Sequence, residues 1–211
     1  MPRPGTPMPT PMRNDRRRLL GAGLAAFAGL LVAPRGAFAL DDTQARALIS
    51  RAVTEVNSAI DSGKTGQPLY DLFESIFVRF ADVPTIARSA LGTASRSASG
   101  AQMAAFTTAF RGYISRKYGK RFREFIGARF EVQGARLVKG FYEVKTVAYL
   151  QGQAPFEVLW HVSDKSGKDL FFNIIIEGVN MLAAERTEIG AMLDARHGDI
   201  DALIKDLKTA G

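Results

Sequence analysis

The sequence predicts an α+β fold, with several helices packed on one face of a curved antiparallel sheet of about four strands and an apolar pocket between the two layers. Three observations predict it. Apolar residues recur at three- and four-residue steps through most of 41–126, the period changes to two after Gly127, and helical spacing returns from Asn180 onward. Helices, then strands, then helices, with no repeat and no internal linker, fit a single α+β domain rather than an alternating α/β one.

The elements follow in order. Ala45, Leu48, Ile49, Ala52, Val53, Val56 and Ile60 make one helical stripe, with Asp41 or Asp42 as its cap. After the loop "DSGKTGQ", the segment "PLYDLFESIFVRF" opens on a proline and places Leu69, Phe73, Ile76, Phe77 and Phe80 on one face. "DVPTIARSALG" is a short helix opened by Asp82 and closed by Gly92. Ser99 caps the longest helical stretch, which carries Met103, Phe106, Phe110, Tyr113 and Ile114. Strands are predicted at about 129–138, 141–151, 155–163 and 169–177, separated by "VKG", "QGQAP" and "SDKSGKD". Gly198 ends the next helix, and Asp199 caps a last one bearing Ile200, Leu203, Ile204 and Leu207.

Residues 1–39 read differently from the rest. "MPRPGTPMPTP" has the composition of a disordered start. Arg13, Arg16, Arg17 and Arg18 then precede an apolar run of roughly 14 residues and a small-residue cleavage site at Ala37-Phe38-Ala39, the pattern of an export signal. The run is shorter than the about 20 residues that a bilayer span requires. The arginines of "DRRRLLG" resemble a twin-arginine address, so export to the periplasm is expected, with 40–211 as the single folded domain. The formal charge of +7 is concentrated in this leader, where Arg3 and Arg35 join the four arginines above against Asp15 alone. What remains is close to neutral, which removes the global-charge argument for nucleic-acid binding. The absence of cysteine excludes disulfides and a lipoprotein anchor.

Few residues point to chemistry. Glu143, Lys145, Glu157 and His161 occupy odd positions in neighbouring predicted strands, so an acid–base cluster built on Glu157 and His161 is geometrically possible, as is a solvated face with cross-strand ion pairs. His197 sits beside Gly198 at a helix C-terminus and is not paired with His161. No histidine pair at ligand spacing, calcium-type loop, phosphate-binding glycine loop or GxSxG turn is present, so neither a metal nor a cofactor is expected. The run "RKYGKRFREF" interleaves Arg116, Lys117, Lys120, Arg121 and Arg123 with aromatics. It suits an anionic headgroup or membrane surface, or alternatively a helix end that favours cations. Apolar bulk is the larger signal. "FEVLWHV" puts Phe156, Val158, Trp160 and Val162 on one side of a strand, and a sheet curved over helices encloses an elongated apolar space that side chains or a ligand must fill.

These segments, taken in order, resemble the MlaC, or toluene-tolerance, family of periplasmic lipid-binding proteins. The resemblance rests on "FVRFADVPTIARSALG", on "RSASGAQMAAFTTAFRGYISRKY", on "FEVLWHV", on "FFNIIIEGVNMLAAERTEIGAML" and on the ending "HGDIDALIKDLK". It implies a carrier, not an enzyme, that shuttles phospholipid between an inner-membrane ABC transporter complex and an outer-membrane lipoprotein complex, touching membrane surfaces transiently and so serving outer-membrane lipid asymmetry. A hopanoid- or sterol-type cargo is the alternative within the family, and a small enzyme or a ligand-free periplasmic adaptor the alternatives outside it. Expected tail-contacting residues are Phe77, Phe80, Ile86, Leu91, Phe106, Phe110 and Tyr113 on helices, with Val147, Tyr149, Trp160, Ile174 and Ile176 on strands. Arg116, Lys120 and Arg121 are expected to dock a headgroup or partner.

Overall fold

A computed structural model describes residues 40–211, apart from the side chains of residues 122 and 123; the export-signal expectation for residues 1–39 lies outside the described residues. Among the described residues there are six α-helices: α1 (Asp42–Asp61), α2 (Gln67–Phe80), α3 (Val83–Leu91), α4 (Gly100–Gly119), α5 (Met181–Asp194) and α6 (Ile200–Leu207). Between α4 and α5 run β1 (Arg129–Val138), β2 (Phe141–Tyr149), β3 (Phe156–Ser163), β4 (Leu170–Ile176) and the two-residue β5 (Val179–Asn180). The strands form one antiparallel meander in sequence order. The sheet therefore has five strands where about four were expected, the fifth being too short to leave a period-two signature.

Local sequence sets most boundaries. Asp41 accepts from the Gln44 backbone while the Gln44 side chain accepts from Asp41, a reciprocal cap that Ser99 and Gln102 repeat at the start of α4. Asp82, Asn180 and Asp199 cap α3, α5 and α6 with side-chain oxygens. The long helical stretch stops at Gly119, and a 3-10 turn covers Phe122–Phe125. Gly119 lies against the next-door helix so closely that an added Cβ would stand 2.5 Å from Cδ1 of Tyr70 on α2. Both tight hairpins, β1–β2 at Lys139-Gly140 and β4–β5 at Glu177-Gly178, have positive φ at both central residues, which matches the right-handed twist of their strands.

Packing follows from one alternation. On β2 and β3 the buried set is Val144, Thr146, Ala148, Val158 and Val162, with Trp160 half-buried among them. This inner face carries the helices, α1 over β1 and β2, and α3 with α5 over β4. Behind it α4 lies among α2, α3 and α6, and its rings Phe106, Phe110 and Tyr113 stack in series at centroid spacings of 5.7 and 6.3 Å. Register shifts at Val132/Gly134 and His161/Val162 add a residue to one strand of each pair and bend the sheet.

Phe106 and Phe110 have no solvent exposure, so truncation leaves a cavity that the surrounding helices close only in part. Phe110→Ala is expected to lower unfolding stability by about 3–5 kcal/mol, read as a fall in the midpoint of a denaturant titration with an unchanged slope.

Candidate functional site

The interior between the helices and the inner sheet face is the site to which the sequence points. Phe77, Phe80, Ile86, Leu91, Phe106, Phe110 and Tyr113 are all buried in one apolar cluster, and Trp160 and Ile174 pack against it half-buried. Across the layers, Phe77 meets Phe171 with ring centroids 6.4 Å apart, and Phe171 meets Trp160 edge-on at 5.3 Å. Ile176 belongs instead to a smaller cluster with Ala148, Leu150 and Val158, ringed by Phe125, Phe130 and Phe156; Trp160, Phe130, Phe125 and Ile174 touch both clusters. The apolar wall is thus continuous along the inner face. Its far end, at Phe156 and Ile176, is less covered, and Ile126 and Val179, in the segments leading into β1 and out of β4, are more than half exposed.

Trp160 is held in place rather than loose. Its indole N–H donates to Oγ1 of Thr146 at 3.0 Å, and Oγ1 in turn donates to the Val158 carbonyl at 3.2 Å. That pair of bonds explains why a threonine stands fully buried in an apolar face: each polar atom has a partner.

Two expected wall residues lie elsewhere. Val147 pairs with Glu157 and Tyr149 with Arg129, which places both on the outer face of the sheet, and the Tyr149 hydroxyl donates to Glu131 at 3.0 Å. The physical reason is register: Thr146 stands opposite Val158, so the inward residues of β2 are the even ones, and every odd one turns away. The basic docking residues are also differently employed. Arg116 donates to the carbonyls of Ala210 at 2.8 Å and Leu207 at 2.5 Å, and Lys120 donates to the Gly211 carbonyl, so together they tie down the end of α6 and the residues after it. Arg121 is exposed and pairs with Glu124 at 3.0 Å.

The acid–base cluster resolves into separate pairs on the outer face. Lys145 meets Glu157 at 2.6 Å, whereas His161 meets Glu143 at 3.3 Å, not Glu157. With the proton on Nε2, His161 donates to Glu143 and accepts at Nδ1 from the Asn173 amide at 3.4 Å. Phe141 and Phe172 flank the ring at 4.5 and 5.7 Å. Both ring nitrogens are engaged, so neither is presented to a substrate. Among the described residues no group of three or more His, Cys, Asp or Glu side chains is arranged to hold a metal, and no helix is long and apolar enough to cross a membrane.

A second polar set, unseen in the sequence, joins α4 to α5. Glu185 is only 4% exposed; its Oε1 accepts from Lys117 Nζ at 2.7 Å and from the Tyr118 hydroxyl at 2.5 Å. Lys117 also reaches Glu188 at 2.6 Å, and the Tyr113 hydroxyl donates to Glu188. Burial, together with the bonded glutamates, pushes both tyrosine hydroxyls far above their ordinary range, so they remain donors. A glutamate at the fourth or fifth position of a helix otherwise reads as a surface residue. The one available signal was its place in the stripe Leu182–Glu185–Ile189–Leu193.

The sheet thus has one apolar face roofed by helices, with a continuous aromatic and branched wall inside, and an outer face that mixes ion pairs with apolar side chains. The model of the MlaC protein family matches residues 50–209, and the chain belongs to that family. The chain is also similar in fold to a phospholipid-binding protein from Ralstonia solanacearum whose structure was solved in complex with a phospholipid. The TM-score is 0.67 at 18% identity, covering 77% of this chain and 94% of that one.

Two carboxyls give this arrangement a pH signature. Burial opposes ionisation of Glu143, but the bonds from Arg136 and His161 outweigh it and hold its carboxyl below the usual range; burial is likewise outweighed at Glu188 by Lys117 and Tyr113. A carboxyl that titrates lower folded than unfolded stabilises fully above the unfolded value of about 4.3, and this contribution disappears as pH falls through the depressed folded value. Denaturant midpoints measured from pH 7 down to 3 are expected to hold and then drop across the acid end, with a shallower drop in Glu143→Gln.

Proposed function

We propose that this protein is a periplasmic carrier that sheathes the acyl tails of a phospholipid between its helices and the inner sheet face, leaving the headgroup in water. The observation that carries the reading is the inner wall. Val144, Ala148, Val158, Trp160, Val162, Ile174 and Ile176 line one side of the sheet without a charged residue among them, facing Phe77, Ile86 and Leu91. Membership of the MlaC family and a shared fold with a phospholipid-bound protein support it.

Physics supplies the need for such a protein. A buried methylene contributes about 0.8 kcal/mol, so a chain of roughly 16 carbons costs about 12 kcal/mol to expose to water. Free lipid therefore crosses an aqueous gap slowly, and a carrier lowers that barrier by replacing water with side chains. Release requires partners that offer the tails another apolar home; the family resemblance suggests an inner-membrane ABC transporter complex at one end of the route and an outer-membrane lipoprotein complex at the other. The carrier itself needs no nucleophile, metal or acid–base pair.

Native mass spectrometry of protein purified without added lipid tests the reading. The expected result is a bound mass that chloroform extraction identifies as phospholipid; a hopanoid or sterol mass would assign the other cargo, and a clean apo mass with no extractable lipid contradicts the carrier. Paired variants locate the cargo. Ile176→Glu, at the less covered end of the inner wall, is expected to lower copurifying lipid severalfold, whereas Val147→Glu on the outer face of the sheet is expected to leave it unchanged.

A further inference from the structure

In this structure the interior is packed side chain against side chain: Phe106, Phe110, Val144, Val162 and Ile189 have no solvent exposure at all. Tails enter only if two elements part, and the seams are not equal. Those between α2 and α4, α3 and α5, and α4 and α6 bring helices together along buried apolar residues. Polar bonds supplement that apolar contact at Arg111–Glu74 and Gln102–Asp201, whereas α4 and α5 are bridged by long polar side chains: Tyr113, Lys117 and Tyr118 from one, Glu185 and Glu188 from the other.

Glu185 is the weak point of that seam. It takes the place of an apolar residue in the buried stripe of α5, between Leu182 and Ile189. Its Oε1 has two donors, whereas Oε2 is buried and has none. A buried carboxylate oxygen without a donor is penalised in the closed state and recovers hydration when the seam opens, so this contact favours opening more than an apolar side chain of the same size would. Lys117 and Tyr118 nonetheless hold Oε1 with directional bonds, which keeps the seam shut in the absence of another apolar surface.

The seam also stands where the wall is least covered. The 3-10 turn that follows α4 puts Phe125 in the smaller apolar cluster, and Ile176, just before β5 and α5, is in the same cluster with Phe156. We propose that α4 and α5 part at this end to admit the acyl tails, and that Lys117, Tyr118 and Glu185 form the latch of that gate. The inference rests on the carrier reading above and adds where the interior opens and what holds it closed.

The chain has no cysteine, so a pair introduced across the seam is chemically unique. Lys117→Cys with Glu188→Cys, bridged by a short reducible bis-thiosulfonate, is assayed for transfer of fluorescent phospholipid between vesicles. The bridged form is expected to lose transfer at least tenfold and to regain it on reduction. Cutting the latch alone, by Tyr118→Phe or by Lys117→Met, each of which removes a donor to Glu185, is expected to speed transfer several-fold while circular dichroism shows the fold intact. Transfer as fast bridged as reduced overturns the gate, and so do latch variants that remain folded and transfer at the parental rate. If the parental protein neither holds nor transfers lipid, the carrier reading itself fails, which is a separate result from a working carrier indifferent to the bridge.

Discussion

Side chains alternate across a strand, and in β2 and β3 that alternation commits Val144, Ala148, Val158, Trp160 and Val162 to a single side of the sheet. That side has to be covered, because an exposed apolar face of this extent is unfavourable in water. The rest of the molecule answers this requirement. Capped helices on either side of the strands in sequence fold back over the face, and Phe77, Phe171 and Trp160 link helix to sheet ring by ring. Two hydrogen bonds through Thr146 let the one tryptophan keep its N–H satisfied without turning outward. The outer face, by contrast, is finished with ion pairs such as Lys145–Glu157 and Arg136–Glu143, which contribute little stability each but keep it wet.

Helix caps and stripes were legible because they are local: Asp41, Asp82, Ser99 and Asp199 each act within three residues of themselves. Most of the helical wall was legible for the same reason. Val147 and Tyr149 were not, because these two outward residues are bulkier than their inward neighbours Thr146 and Ala148, and only pairing with β3 decides between the two sets. The basic run after Tyr113 misled in another way. Arg116 and Lys120 look available in sequence, yet the carbonyls of Leu207, Ala210 and Gly211 come to them from more than ninety residues away. Glu185 was hidden by the same kind of distance, its partners lying 67 and 68 residues earlier.

A container for apolar cargo faces opposed demands. Its wall must be continuous enough to exclude water, and its closure must be weaker than the fold as a whole, or cargo never enters. Here the two demands fall on different residues. Branched and aromatic side chains make the wall, while a half-satisfied carboxylate on α5 and its lysine and tyrosine partners on α4 make the closure. Because polar bonds are directional and apolar contact is not, such a closure gives way as a unit when its geometry is disturbed. His161 takes no part in this; its bonds to Glu143 and Asn173 order the opposite face of the sheet.

The central claim is that acyl tails lie against the inner face of the sheet. Phospholipid carrying a photoactivatable group at the end of one acyl chain, loaded into the protein and irradiated, tests it directly once peptide mapping finds the adducts. Adducts on Trp160, Ile174, Ile176 or Phe130 are the expected result. Adducts confined to Phe141, Val147 or Leu159 on the outer face of the sheet, or spread without preference over the surface, would contradict it.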